Sequence, residues 1–287
     1  MLMNMKQILK PANERMFAIP AFNISDYSMF KGIMEASENA KAPVIIEIHP
    51  DELNHVGLNF MQAVKERALK SSVPVCIHLD HGSSFSQIML AVQNAFTSVM
   101  IDGSHLPFND NIALCKKVVD AVRDLDISVE GELGTIGTTD AEAEAGSEHI
   151  IYTDPDDAVE FVKRTGVDTL AIAIGTSHGI YPSDVIPELK LDLLKEIKAK
   201  LPIPLVLHGG SNNPDEEIGE SVKLGVNKIN ISSDIKVAYF EKMREVLKDA
   251  GLREPLSIQP ECIEAMKKVA LHKIKLFQSD NRASLYY

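Results

Sequence analysis

The sequence predicts an α/β protein built as a closed (β/α)8 TIM barrel, and three observations carry that prediction. Short apolar, β-branched runs recur along the 287 residues at intervals of roughly 25 to 40, with helix-like mixtures of polar and apolar residues between them. Several runs, Val44-Ile45-Ile46 among them, are nearly continuous apolar segments, as expected of strands covered on both faces of a parallel sheet. No Pro/Gly/Ser linker or composition break divides the chain, and one barrel of this kind typically takes about 250 residues. Together these favour a closed barrel over an open doubly wound sheet, as a single domain over 1–287 with a C-terminal helical extension.

The strands are expected at 17–22, 44–48, 73–79, 98–101, 127–132, 169–174, 205–207 and 228–231. Helix ends are legible between them. Asp154 before Pro155 reads as an N-cap followed by proline at the first helical position, and Pro214 opens a second such segment. Thr165-Gly166-Val167-Asp168 and Leu224-Gly225-Val226-Asn227 read as glycine C-caps leading into the next strand. The last helix is expected at 261–277, either packed on its own barrel or lying at an interface. After strand five there is no Lys or Arg from 124 to 162, while Asp140, Glu142, Glu144 and Glu148 fall between positions 134 and 152. That acidic stretch is either a solvated surface loop or a mobile active-site loop.

Composition narrows the partners. Lys plus Arg is 29 against Asp plus Glu at 41, a net charge of -12 with no basic stripe, which argues against nucleic acid. The first ten residues lack the apolar core of a signal peptide, and no apolar run approaches the roughly 18 residues that span a bilayer, so no membrane partner and a cytoplasmic setting are expected. Cys76, Cys115 and Cys262 are odd in number and far apart, so a metal would be held by His and carboxylates.

Barrel enzymes build their sites at the C-terminal ends of the strands, and the polar residues collect there. Strand one ends in Asn23, strand three in Asp80-His81-Gly82, strand four in Asp102-Gly103-Ser104-His105 and strand five in Glu130-Gly131-Glu132. Strand six runs into His178-Gly179, strand seven into His208-Gly209-Gly210-Ser211, and strand eight into Asn230 and Ser232-Ser233-Asp234. His81, His178 and His208 can converge on one axis, and three imidazoles with one open position make a catalytic zinc arrangement. His78 shares Asp80's side of its strand and is expected to pack or to support the site; His49 and His105 lie near strand ends, while His55, His149 and His272 read as loop or helix residues. For Asp80 and His81 to reach one substrate the strand must bend, which Gly82 permits. Asp102 and Glu132 suit a second cation or a moving metal, or else a buried hydrogen-bonding role. Gly209-Gly210-Ser211 with Asn230, Ser232 and Ser233 supplies backbone N–H groups, hydroxyls and a helix N-terminus where barrels commonly bind phosphate.

These residues resemble the class II, zinc-dependent ketose-bisphosphate aldolases, in the tagatose- and fructose-bisphosphate branch, over nearly the whole chain. The resemblance is carried by Pro20-Ala21-Phe22-Asn23, His78-Leu79-Asp80-His81-Gly82, Met100-Ile101-Asp102-Gly103-Ser104-His105, Glu130-Gly131-Glu132-Leu133-Gly134, Ala173-Ile174-Gly175-Thr176-Ser177-His178-Gly179 and Leu207-His208-Gly209-Gly210-Ser211. It implies that His81, His178 and His208 hold Zn2+, that Asp80 exchanges the C4 hydroxyl proton during C3–C4 cleavage, and that Glu132 is an alternative ligand. It further implies a second divalent cation or a carbonyl-orienting role at Asp102. A C1-phosphate cradle at Gly179, Gly209, Ser211, Asn230 and Ser233 follows too, with a monovalent cation, Na+ or K+, beside it. A homodimer or homotetramer acting on a sugar phosphate follows from the same likeness.

Three departures bear on the substrate. Asp140, with Glu142 close by, stands where the family's loop carries a glutamate that exchanges the C3 proton of dihydroxyacetone phosphate. His49 replaces the small hydroxyl residue that usually ends strand two. No basic residue lies between 256 and 260, where the likeness calls for an arginine on the distal phosphate, and Arg253 lies just upstream. The C1-phosphate half is therefore expected to be kept while the aldehyde half differs from glyceraldehyde 3-phosphate. Two other functions use the same residues: a zinc hydrolase on this barrel, or a non-catalytic sugar-phosphate-binding protein.

Overall fold

The computed structural model describes residues 1–139, 150–182, 185 and 187–287. Ten strands follow in order: β1 (Ile19–Asn23), β2 (Val44–Ile48), β3 (Val75–Gly82), β4 (Ser98–Ile101), β5 (Ser128–Leu133), β6 (Gly137–Thr138), β7 (Thr169–Ile172), β8 (Ser177–His178), β9 (Leu205–Leu207) and β10 (Val226–Ile231). Eight of them close into a parallel barrel in the order β1-β10-β9-β7-β5-β4-β3-β2, with β2 returning to β1. The expected fold is therefore the observed one, a (β/α)8 TIM barrel.

The helices are α1 (Met5–Arg15), α2 (Tyr27–Asn39), α3 (Pro50–Val56), α4 (Leu58–Leu69), α5 (Phe85–Gln93), α6 (Phe108–Val122), α7 (Pro155–Thr165), α8 (Leu191–Lys200), α9 (Asp215–Lys223), α10 (Ser233–Val246) and α11 (Pro255–Leu276). Asp154 caps α7 by accepting from the N–H groups of Asp156 and Asp157, and Gly166 ends it at φ 73°. The last helix begins at Pro255, six residues before the expected start, because Pro255 suits the first turn; Pro260 lies inside the helix, which continues past it. None of the helices among the described residues is long and apolar enough to cross a membrane.

Alternation along the strands sorts the interior into layers. Phe22, Ile46, Leu79, Val99, Ile172, Leu207 and Ile229 face outward into one apolar shell shared with the helices. Ile19, Ala21, Ile45 and Cys76 face inward, and against them α1 packs Met5, Ile8, Leu9 and Ala12, so this helix plugs the N-terminal end of the barrel. Above that plug the lumen turns polar. Glu47, His78, Glu130 and Lys228 meet there with no solvent exposure, and Asn23, Asp80, Glu132, His208 and Asn230 lie on the same strand parity nearer the mouth. Burying such groups is tolerated only when they neutralise and hydrogen-bond one another, which organises the whole site.

Candidate active site

Asp80 and His81 are adjacent in the chain yet both reach the mouth, because His81 adopts left-handed backbone geometry at φ 44°. The β3–β4 ladder slips between Leu79 and Gly82 at the same point. The bend expected at Gly82 thus falls on the histidine itself. Gly82 serves by its smallness, since a Cβ there would sit 2.8 Å from the Met100 carbonyl oxygen. A left-handed non-glycine residue costs on the order of 1–2 kcal/mol and persists where the surroundings enforce it.

The Asp80 carboxylate is clamped. Asn23 Nδ2 donates to one oxygen at 3.0 Å and Asn230 Nδ2 to the other at 3.1 Å. Burial alone would raise its pKa, but the imidazoles of His81 and His208, the Lys228 ammonium and the Asn23 bond hold it well below the usual carboxylate range. Asp80 is accordingly an ionised carboxylate at the end of β3, held in place by two asparagines.

The His81, His178 and His208 rings gather beside it, with centroids 5.1 Å apart for His81 and His178 and 4.6 Å for His81 and His208. One ring nitrogen from each lies within 4.8 Å of the others. His81 Nδ1 is 2.9 Å from Asp102 Oδ2, and His208 Nε2 is 2.9 Å from Glu130 Oε1, which leaves His81 Nε2 and His208 Nδ1 buried without hydrogen-bond partners. Two orphaned imidazole nitrogens, each oriented by a carboxylate on its other side, fit a cation with the hardness and geometry of a histidine-bound metal. Glu132 stands close by, its Oε2 3.2 Å from His208 Nδ1 and unpartnered, with burial and then Asp102 pushing its pKa up. Asp102 is committed to His81 and to Ser104, whose N–H and hydroxyl bind its other oxygen at 3.0 and 2.7 Å. His81, Asp102 and Glu132 nevertheless form a second close-set group of ligand atoms, as the sequence suggests.

His178 is held by an element the strand pattern did not reveal. Two residues of β6 pair in parallel with β8, Thr138 opposite His178, and Thr139 donates to the His178 carbonyl from its N–H at 2.9 Å and its hydroxyl at 2.7 Å. The start of the acidic loop is therefore a clasp for one of the three clustered histidines. Asp140, Glu142 and His149 lie outside the described residues.

Beside Asp80 a pocket opens that is lined by Gly179, Gly209, Ser211, Ser232, Ser233 and Lys236. Gly209 takes φ 61°, and a Cβ there would lie 2.6 Å from the Ser177 carbonyl oxygen. Gly210 holds the loop rather than the pocket, because its N–H is spent on the Asn230 carbonyl at 3.1 Å. Lys236 brings a cation that sequence reasoning missed; its ammonium lies 2.8 Å from Glu52, which also accepts from Ser25 Oγ at 2.8 Å. The signal was its place one turn into a helix whose first residues read as a phosphate site.

The remaining histidines fall away from the chemistry. His78 is buried, bonded to Ser98 Oγ at 2.8 Å, and driven down to about 3 by burial and by Lys228, so it packs as a neutral ring. His49 caps α3 by accepting from the Asp51 N–H at 3.2 Å, although its ring stands 6.4 Å from that of His81. His55, His105 and His272 are exposed. Arg253 is 86% exposed and lies 3.7 Å from its neighbour Glu254, at the surface rather than in the pocket.

Comparison with known proteins identifies the family. The family model of the class-II fructose-bisphosphate aldolases matches residues 3–282. A fructose-bisphosphate aldolase of Staphylococcus epidermidis is 38% identical over 288 residues, covering 98% of this chain and 99% of its own. Among solved structures, the YdjI aldolase from Escherichia coli K12 is 38% identical with a TM-score of 0.87, covering 99% of this chain and all of that one. A fructose-bisphosphate aldolase from Campylobacter jejuni shares the fold, with a TM-score of 0.82 at 23% identity over 98% of this chain and 96% of its own.

Proposed function

The chain belongs to the class II fructose-bisphosphate aldolase family, and from that premise we propose that it is a zinc-dependent aldolase that cleaves and forms the C3–C4 bond of a phosphorylated ketose. The products are dihydroxyacetone phosphate and an aldehyde. The observation that carries this reading is the pair of orphaned, carboxylate-oriented imidazole nitrogens of His81 and His208 beside an ionised Asp80.

His81, His178 and His208 would hold the ion, with Glu132 within reach as a further ligand. Bound there, zinc supplies a Lewis acid that draws electron density toward the ketose C2 carbonyl. The C1 phosphate is held by the lining of Gly179, Gly209, Ser211, Ser232 and Ser233, with Lys236 adding positive charge. In cleavage Asp80 takes the C4 hydroxyl proton, the C4–O bond becomes a carbonyl, and the C3–C4 electron pair moves toward C2. Protonation at C3 then completes dihydroxyacetone phosphate, and Asp140 or Glu142 is our assignment for that acid. Asn23 and Asn230 keep Asp80 aimed, and each retains an unpartnered amide oxygen for a substrate hydroxyl.

For the aldehyde half we propose something other than glyceraldehyde 3-phosphate, because no basic residue lies between 256 and 260 and Arg253 points to solvent. We further propose a cytoplasmic homodimer or homotetramer, with a second divalent cation at Asp102 and Glu132 and Na+ or K+ beside the cradle. The test is an assay coupled to dihydroxyacetone phosphate, run on a panel of ketose bisphosphates and ketose 1-phosphates, with chelation and zinc restoration. Chelator-sensitive release restored by zinc is expected, with ketose 1-phosphates among the good substrates. A strong preference for bisphosphates overturns the aldehyde assignment, and no release from a zinc-loaded protein overturns the aldolase.

A further inference from the structure

Beneath the metal-binding histidines lies a layer of ionisable side chains that the reaction does not use. Glu47 on β2, Glu130 on β5 and Lys228 on β10 are fully buried. Lys228 Nζ lies 2.7 Å from Glu47 Oε1 and 3.1 Å from Glu130 Oε1. The same Glu130 oxygen lies 2.9 Å from His208 Nε2, while its other oxygen accepts from Thr169 Oγ1 at 3.3 Å. One carboxylate thus joins a lysine that sees no solvent to a histidine at the mouth. A bond from Nε2–H to Glu130 puts the lone pair on Nδ1, the buried nitrogen that makes no hydrogen bond and lies 3.2 Å from Glu132 Oε2.

We propose that Lys228 is a positioning residue for the metal centre: by gripping Glu130 from below it fixes the ring orientation and tautomer of His208, although it touches neither metal nor substrate. The inference rests on the metal-dependent reading above, but its test reads metal binding rather than turnover, so the two can fail separately.

Charge and position predict opposite outcomes, which makes the test sharp. Removing a cation from beneath a divalent ion strengthens binding if charge alone matters; losing the support of a ligating histidine weakens it, typically by about 10–100-fold. Zinc affinity by chelator competition and the ligand-field spectrum of the Co2+-loaded protein are measured on the full chain. Because Lys228→Met leaves Glu47 and Glu130 without their buried partner and risks misfolding, it is made in a Glu47→Gln background that removes one of these acids. The expected result is zinc binding weakened about 10–100-fold relative to Glu47→Gln alone, with altered Co2+ bands. Adding Glu130→Gln should cost little more, since the lysine acts through that carboxylate, and Lys228→Arg should recover part of the loss. Unchanged or tighter zinc binding, an unaltered Co2+ spectrum, or losses that multiply overturn the proposal. Glu130→Gln alone, nearly isosteric, gives a reading independent of the lysine variants: wild-type zinc affinity there overturns it as well.

Discussion

His81 gives up ordinary strand geometry so that it and Asp80 both reach the mouth of the barrel, and the proposed chemistry of both depends on neighbours fixed by that bend. Asp80→Asn keeps the shape and the two asparagine contacts but removes the base. It should lower kcat by about 10²–10⁴ with zinc affinity nearly unchanged, measured by steady-state kinetics beside a metal titration. Glu47 offers a second prediction. Burial, then the nearby Asp80 charge, pushes its carboxyl from 4.5 up to about 8, against the pull of Lys228. The folded protein therefore holds a proton that the unfolded chain sheds near 4.5, so this contribution to stability is full below pH 4.5 and is lost as pH rises to about 8. Glu47→Gln cannot lose that proton, and its urea stability should fall less between pH 5 and 8 than the wild type's, by a few kcal/mol at most; parallel profiles would refute the shift. The gathering of Asp80, His81, His178 and His208 at one mouth was legible because each falls at or just past the C-terminal end of a barrel strand. Glu47 and Lys228 were not, because a buried strand is read as apolar; the alternation of Lys228 and Asn230 with Ile229 and Ile231 was the available sign of a polar lumen.

At the scale of elements, caps were more legible than short strands. Asp154-Pro155 and Gly166 carry their conformations in single residue types, whereas β6 and β8 have two residues each and leave no periodicity to read. Yet that small pairing holds His178, and Ser177 beside it packs against Gly209, which joins the histidine cluster to the pocket loop. Gly209→Ala tests the coupling. The new methyl would need φ 61° and would press on the Ser177 carbonyl, so both the cradle and β8 must shift. The expected outcome is a KM for the phosphorylated ketose raised about tenfold or more, roughly 1.4 kcal/mol of lost binding, with weaker zinc binding. Retention of both values at wild-type levels would show the two elements to be independent.

Across the whole molecule the barrel is stratified from an apolar plug, through an ionic layer, to the catalytic mouth, and its ends have separable duties. Leu9→Ala, in the plug and far along the lumen from Asp80, should cost about 2–5 kcal/mol in stability while leaving kcat and KM within about twofold at permissive temperature. Thermal unfolding and kinetics on one preparation would check this, and a catalytic loss without a stability loss would contradict the stratification. The barrel itself was legible from eight spaced apolar runs, since hydrophobic patterning and right-handed crossovers leave few ways to arrange them.

The ionic layer also constrains how the barrel can form. Each strand presents alternate residues to the lumen, so sliding β10 by one residue against β1 and β9 would thrust Lys228 among the helices and Ile229 among the carboxylates. A slip of one residue therefore satisfies neither face. Lys228 meets a Glu130 oxygen 98 residues earlier in the chain, so this pairing ties β10 to the far side of the barrel. The layer beneath the clustered histidines thus doubles as a marker of strand alignment, since its charges meet only when β10 keeps Lys228 turned to the lumen.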